Sequence, residues 1–282
     1  MSVRGGILLR FVSFLLLSLV GAVSANAQSG FIDSWQTRVN KTQAEQPHWV
    51  TPLVTVTPRL EQEFRTDFVR QVTPTHLDNW NFGNGKGLEL IPERHIELLF
   101  NIPPYLSREA PHTTTTKDGF GDPSFVMKYR FLARNEEHGN AIVTAFLSGS
   151  IPTGSYSNGS SDAIVTPTLA GGKGFGHFDV QSTAGVALPV ENTKKLGRPV
   201  TWNTTLQYRV DAHTWPEVEF NSTFYNGGPT DGKMQNFVTP GIAERFHLHK
   251  RIGLTMGAGM QIATSEYHAY NHALVFTVRM PF

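Results

Sequence analysis

The 282-residue chain contains no cysteine. This absence excludes disulfide bonds, thiolate-ligated metal centres and thiol nucleophiles. An excess of charge of one sign is also missing, because 24 Lys and Arg residues stand against 23 Asp and Glu residues. Without a basic stretch the chain lacks the electrostatic signature of a nucleic-acid-binding protein. We therefore expect no nucleic-acid partner, and any chemistry would depend on oxygen and imidazole groups.

After residue 27 the chain also lacks an apolar run of the roughly 18 residues that a membrane-spanning helix needs. A shorter apolar run, Phe11 to Val23, lies near the N-terminus behind Arg4 and Arg10. Small side chains follow it at Ala25-Asn26-Ala27, as signal-peptide cleavage requires. The pattern predicts that residues 1–27 are a secretory signal peptide, with a membrane anchor as the alternative.

In place of long apolar runs, the rest of the chain shows apolar and polar side chains in alternation. Near the C-terminus Thr277 and Arg279 share one face, and the opposite face is formed by Leu274, Phe276, Val278, Met280 and Phe282. The same alternation covers residues 201–211 and 252–262. A period of two is that of a β-strand, so the sequence predicts an all-β protein with strands of about ten residues.

Three features favour a lipid environment over a soluble β-sandwich, which would give the same period. The strands have the length that crosses a bilayer when tilted. Short and long connections alternate, as in outer-membrane barrels. The chain ends on an aromatic residue of its last strand, and this ending, with Phe276, Val278, Met280 and Phe282, resembles the signal that the bacterial barrel-assembly machinery recognises. The soluble sandwich stays the alternative.

Counting back from the C-terminus predicts an antiparallel meander barrel over residues 55–282. Twelve strands are predicted, at 55–70, 79–91, 94–104, 120–133, 140–152, 162–174, 177–190, 199–211, 215–226, 234–247, 250–264 and 271–282. With both termini in the periplasm, the short connections fall on the periplasmic side and the long connections outside the cell. Residues 28–54 are predicted to be a periplasmic segment. Its short helix, with Phe31, Trp35 and Val39 on one face, is expected at the periplasmic mouth of the barrel or partly within it. It is too small for a plug domain.

Two motifs carry a family resemblance. The run Gly119 to Arg130 contains Gly-Phe-Gly-Asp and ends in Lys-Tyr-Arg, and Ile151 to Gly154 reads Ile-Pro-Thr-Gly. Both resemble the outer-membrane family named for the MetA pathway of phenol degradation. The resemblance implies a bacterial barrel grouped with transporters of aromatic or other hydrophobic compounds, without catalytic residues to transfer.

The alternation also predicts which side chains face the barrel lumen, since a cation on the lipid face near the midplane costs about 2 to 4 kcal/mol. The predicted set mixes both signs and comprises Glu61, Glu63, Arg65, Asp67, His95, Glu97, Lys128, Arg130, Arg209, Asp211, Glu217, Glu219, Arg245 and Arg279. Leu60, Phe64 and Phe68 are assigned to the outer face. The charges either pair and fill a narrow lumen or form a selective constriction.

Enzymatic signatures are weak. A Gly-x-Ser-x-Gly elbow is missing, and Ser222, between the outward Phe220 and Phe224, has no outward histidine beside it. The pair His247 and His249 is more typical of an interfacial turn than of a metal site. We therefore expect no enzyme, cofactor or metal.

The predicted function is passive transport of small, hydrophobic or aromatic solutes through the bacterial outer membrane. The expected partners are outer-membrane lipid, the assembly machinery and the solute. The alternatives are a structural or adhesive barrel with a closed polar lumen, and an outer-membrane hydrolase.

Overall fold

The computed structural model describes residues 29–109, 118–249 and 251–282. The predicted signal peptide lies outside these residues. By its internal contacts the chain divides after Arg38. Helix α1, Ser29–Ala44, runs across this division. None of the described helices is long and apolar enough to span a membrane.

All described strands belong to one sheet. Their bounds are β1 Glu63–Val72, β2 Asp78–Gly83, β3 Gly87–Glu93, β4 Ile96–Asn101, β5 Tyr105–Arg108, β6 Gly119–Phe120, β7 Ser124–Arg134, β8 Ala141–Ser150, β9 Ile164–Phe175, β10 Phe178–Val186, β11 Leu188–Pro189, β12 Val200–Tyr208, β13 Thr214–Phe224, β14 Met234–His249, β15 Ile252–Ala263 and β16 His272–Pro281. A 3₁₀ turn, Glu136–His138, precedes β8, and a short helix α2, Thr193–Leu196, precedes β12.

The sheet closes on itself because β1 pairs with β16 along its whole length, from Glu63 opposite Pro281 to Val72 opposite His272. Four barrel strands are each built from two pieces, which are β2 with β3, β4 with β5, β6 with β7, and β10 with β11. The result is a closed barrel of twelve antiparallel strands. The predicted fold class is confirmed.

The alternation of side chains follows the pleat of each strand. On β16, Leu274 and Phe276 are 49% and 42% exposed on the outside, whereas Thr277 and Arg279 are buried inside. On β1, Phe68 is exposed and Arg65 and Asp67 are buried. An outer surface of this composition suits lipid.

The first strand begins at Glu63, later than the predicted residue 55. Residues 45–62, which we call the plug segment, form no strand and are almost entirely buried. Their hydrogen-bond partners come from β4, β7, β8, β10, β13 and β16, so the segment lies inside the ring of strands. Leu60 is fully buried, and its predicted place on the outer face is wrong, because it precedes the strand.

The two ends of the barrel differ. At one end, the short-turn end, strands are joined by brief connections such as 94–95, 176–177 and 209–213. At the other, the long-loop end, the connections include 151–163, 190–199, 225–233 and 264–271. This is the sorting that the sequence predicts for a membrane barrel.

Candidate functional site: the filled lumen

Two carboxylates of β13 hold the backbone of the plug segment. Glu217 and Glu219 lie two residues apart, so both point into the lumen. Glu217 accepts the N–H of Leu53 at 2.9 Å, and Glu219 accepts the N–H groups of Val54 and Thr55 at 2.7 and 2.6 Å. These three hydrogen bonds satisfy consecutive N–H groups of a buried stretch that has no strand partner, so they anchor the middle of the segment.

Arginines from β16 and β1 bind carbonyl groups of the same stretch. Arg279 donates to the carbonyl oxygens of Thr51 and Pro52, the latter at 2.6 Å. Arg65 donates to the carbonyl oxygen of Leu53 at 2.6 Å. Side chains of the wall thus bind the backbone of the plug segment in place of a neighbouring strand.

A second group of charges joins the wall to the end of the plug segment. Lys128 and Glu97 form an ion pair of 3.0 Å in which both side chains are almost fully buried. Lys128 also donates to the carbonyl of Arg59 at 3.2 Å, and Glu97 accepts the N–H of Glu61 at 2.5 Å. Arg59 and Glu61 form a further ion pair, with 3.1 Å between Nη1 and Oε1. Since an unpaired buried charge is costly, these pairs depend on one another.

At the short-turn end the plug segment and the end of α1 are tied to the wall by Arg130. Its guanidinium donates to the carbonyl of Thr42 at 2.9 Å, to Gln46 Oε1 at 3.1 Å and to the carbonyl of Arg94 at 3.0 Å. Glu45 also belongs to this group, and its Oε1 lies 2.6 Å from Nη2 of Arg94.

A separate clamp joins His48 to the turn before β8. Glu136 accepts the backbone N–H of His48 at 2.7 Å and lies 2.8 Å from its Nδ1. Partial burial raises the pKa of Glu136, but the hydrogen bonds from His48 outweigh it and hold this pKa below its usual range. The ionised carboxylate is therefore the form that binds the segment.

Glycines on the inner wall receive the large apolar side chains of the plug segment. Leu53 occupies the space that a Cβ would fill on Gly241, Gly257 and Gly259, and Trp49 does the same at Gly172. A larger residue at these positions would meet the plug side chain. The wall is thus shaped to the plug segment as well as bonded to it.

The lumen between the plug segment and the long-loop end, which we call the outer chamber, has a different lining. Apart from Arg108 at the rim, which donates to Asn158 at 2.9 Å, the lumen-facing positions of the described strands carry no charge there. Many of these side chains are only half-buried, so the space between them is open. They include Gln71, Asn79, Asn81, Asn101, Ser124, Ser148, Thr166, Thr168, Asn203, Thr223 and Gln235.

Most of the predicted lumen residues are buried on the inner face or in the plug segment, and the structure brings them together around that segment. They are Glu61, Glu63, Arg65, Asp67, Glu97, Lys128, Arg130, Glu217, Glu219 and Arg279. Arg245 is half-buried and donates to the carbonyl of Trp49 at 3.0 Å.

Three predicted lumen residues lie elsewhere. His95, Arg209 and Asp211 are exposed in short turns. For Arg209 and Asp211 the predicted strand is too long, since β12 ends at Tyr208. Asp211 instead accepts the N–H groups of His213 and Thr214, which lower its pKa.

Several residues of the filled lumen were not predicted. On β10, Gln181 donates to the carbonyl of Val50 at 3.1 Å and accepts from Thr57 at 2.8 Å. On β8, Thr144 donates to the carbonyl of Pro58 at 2.5 Å. Both side chains are uncharged, and the alternation identifies lumen-facing positions by their charge.

In the predicted assembly signal, Phe276 is exposed on the outer face, and Val278, Met280 and Phe282 are half-buried. Phe282 follows the last strand and donates its N–H to the carbonyl of Gln62 at 3.1 Å. Recognition by assembly machinery stays a prediction. In the described part of the chain, groups of three or more His, Asp or Glu residues suited to a metal do not occur.

Comparison with solved structures identifies barrels of the same fold. An outer membrane channel from Pseudomonas putida F1 matches with a TM-score of 0.59 at 15% sequence identity, over 83% of this chain and 100% of that chain. The NanC porin matches with a TM-score of 0.50 at 8% identity, over 78% and 98% of the two chains. The twelve-stranded barrel of this chain resembles the fold of these outer-membrane proteins. No protein-family model and no curated protein matches the chain, so the resemblance to the phenol-degradation family stays a prediction.

Proposed function

We propose that the protein is a channel for passive movement of small molecules across the bacterial outer membrane, closed at rest by its plug segment. The observation that carries the proposal is the way this segment is held. It is fixed by side chains and not by a strand ladder, with Glu217, Glu219, Arg65 and Arg279 binding its backbone. Such contacts can be exchanged for water one at a time, whereas a paired strand has to be released as a unit.

The orientation of the barrel is part of the proposal. The signal peptide exports the chain, the assembly machinery inserts it, and the short-turn end faces the periplasm, as short turns do in barrels of this kind. The plug segment then enters the lumen from the periplasm, and the outer chamber opens to the outside of the cell.

The hydrophobic or aromatic solutes that the family resemblance implies would need a route that avoids the charged half of the lumen. Three neighbouring barrel strands are interrupted at similar heights, at residues 84–86, 102–104 and 121–123. Two of these interruptions contain proline, which has no backbone N–H to donate to the neighbouring strand. We include this section of the wall as the candidate exit for apolar solutes into the bilayer.

A structural barrel with a permanently closed lumen is the second candidate. The buried pair of Lys128 and Glu97, with its further bonds to Arg59 and Glu61, favours it. The two functions differ in one respect, which is whether the plug segment leaves the lumen.

A disulfide can decide between them, because the chain has no cysteine of its own. Leu53 contacts the position of a Cβ on Gly257, so the double variant Leu53→Cys/Gly257→Cys places two thiols close together. In planar bilayers we expect current from the reduced protein and loss of that current on oxidation. The two single variants serve as controls and should not respond to oxidant. A channel is contradicted if wild type and the reduced double variant both stay silent at every voltage.

A further inference from the structure

The outer chamber differs from the rest of the lumen because its described strand positions, apart from Arg108 at the rim, carry hydrogen-bonding groups without charge. One connected set of these groups lies on the surface of the plug segment. Tyr270 donates its hydroxyl to Gln261 Oε1 at 2.5 Å, and Gln261 Nε2 donates to Asn221 Oδ1 at 3.3 Å. Asn221 Nδ2 in turn donates to Thr55 Oγ1 at 3.3 Å. The floor of the chamber is therefore a chain of amides and hydroxyls that ends on the plug segment.

An aromatic surface stands beside this chain. The ring of Tyr270, which comes from the loop between β15 and β16, stacks on Phe237 with 4.5 Å between centroids and 15° between planes. Tyr270 also packs with Val54 of the plug segment against Val69 and Val275. The ring of Tyr270 is half-buried, so part of it is within reach of a ligand. Gln261 and Asn221 are only 6% and 7% exposed, so a ligand bonds them by exchanging hydrogen bonds of this chain.

We propose that this floor is a binding site for a small, uncharged ring compound that carries hydroxyl groups. A hydroxyl can donate and accept, which matches side-chain amides that do both. A carboxylate or an ammonium group on this floor would lose hydration without finding an opposite charge among Tyr270, Gln261, Asn221 and Thr55, which is costly. The proposal rests on the proposed function only in that the solute enters from the long-loop end.

The experiment compares ring compounds that differ only in charge. Saturation-transfer NMR on the detergent-solubilised full chain would measure binding of glucose, glucuronate and glucosamine at pH 7. Resorcinol and 3-hydroxybenzoate form the aromatic arm. We expect the neutral member of each series to bind at least tenfold more tightly than its charged relatives. If glucose binds more tightly than resorcinol, the site prefers an aliphatic ring. If resorcinol binds more tightly, it prefers an aromatic ring.

Two variants locate the site. Tyr270→Phe removes one hydroxyl and should weaken binding of the neutral compound roughly fivefold, the worth of one hydrogen bond of about 1 kcal/mol. Asn221→Ser should weaken it by a similar factor. The matched control is Tyr208→Phe, an exposed tyrosine on the outer face, which should leave binding unchanged. Heat-modifiable migration on gels checks that each variant is folded.

The results separate this proposal from the channel function. Equal binding of neutral and charged compounds, or an unchanged affinity in both Tyr270→Phe and Asn221→Ser, overturns the binding site even if bilayers show current. Selective binding by a protein that never conducts supports the site and contradicts the channel.

Discussion

The carboxylate of Glu219 accepts the backbone N–H groups of both Val54 and Thr55, at 2.7 and 2.6 Å. It is held in place by the hydroxyl of Thr205 at 3.1 Å. One side chain of the wall therefore binds two consecutive residues of the plug segment. This makes Glu219 the position where a single substitution should shift the balance between plugged and open lumen most directly.

Glu219→Gln keeps the shape of the side chain but removes its charge. Val54 and Thr55 donate to different oxygens of the carboxylate, and the amide has only one acceptor oxygen. One of the two hydrogen bonds is therefore lost, and the plugged state loses about 2 kcal/mol, a roughly 30-fold larger open fraction. In planar bilayers we expect more frequent openings at the same single-channel conductance. Glu137→Gln, in the exposed turn before β8, is the control. Unchanged opening frequency in Glu219→Gln would contradict an anchoring role.

Adjacent glycines of β9 give a second test with an internal control. Gly172 faces the lumen, where an added Cβ would lie 2.5 Å from the ring of Trp49, whereas at Gly171 it meets only a carbonyl at 3.5 Å. Gly172→Ala should displace Trp49 at a cost of about 1 to 3 kcal/mol and raise bilayer current. Gly171→Ala should resemble wild type. If both variants conduct alike, the fit of Trp49 against the wall does not hold the plug segment.

The barrel could be predicted because lipid imposes one rule on every strand. Charged side chains at Arg65, Lys128 and Arg279 could face only the lumen, and the apolar positions between them marked the outer face. The regular alternation of short and long connections then gave the strand number. These are local patterns, which a single sequence contains in full.

The plug segment could not be predicted in this way, because its side chains contact the wall in several directions and no period separates two faces. Residues 45–54 were assigned to the periplasmic segment, and residues 55–62 to the first strand, because Leu60 falls in phase with the strand that follows. A signal was nevertheless present in the wall. Gly172, Gly241 and Gly257 all lie on lumen faces, and small residues at such positions indicate close approach of another chain segment.

Arg130 and Arg209 were both predicted to face the lumen, and the structure separates them. Arg130 is buried and makes two hydrogen bonds to main-chain carbonyls, one to Gln46 and one to Glu45, whereas Arg209 is exposed. Arg130→Gln should therefore cost about 3 kcal/mol, since it leaves buried acceptors unpaired. Arg209→Gln should cost little. Thermal unfolding followed by heat-modifiable migration checks this, and equal losses in the two variants would show that the burial of Arg130 is irrelevant.

The clamp between Glu136 and His48 predicts a pH dependence at the short-turn end. The pKa of Glu136 in the folded protein lies below its ordinary value of 4.5, because the backbone and ring of His48 donate to the carboxylate. A carboxyl whose pKa is depressed by folding stabilises the folded form above the unfolded pKa, and this contribution is lost as the pH falls through the folded pKa. Acidification below about pH 4.5 should therefore loosen the chain around His48.

Hydrogen exchange of the His48 amide at pH 6 and pH 3.5, corrected for the intrinsic rate, should show less protection at the lower pH. In Glu136→Gln the His48 amide should already be less protected at pH 6, and its protection should change less between pH 6 and pH 3.5. Glu137→Gln, which alters the neighbouring exposed carboxylate, should show the same change in protection as the wild type. A His48 amide equally protected at both pH values in the wild type would contradict the clamp.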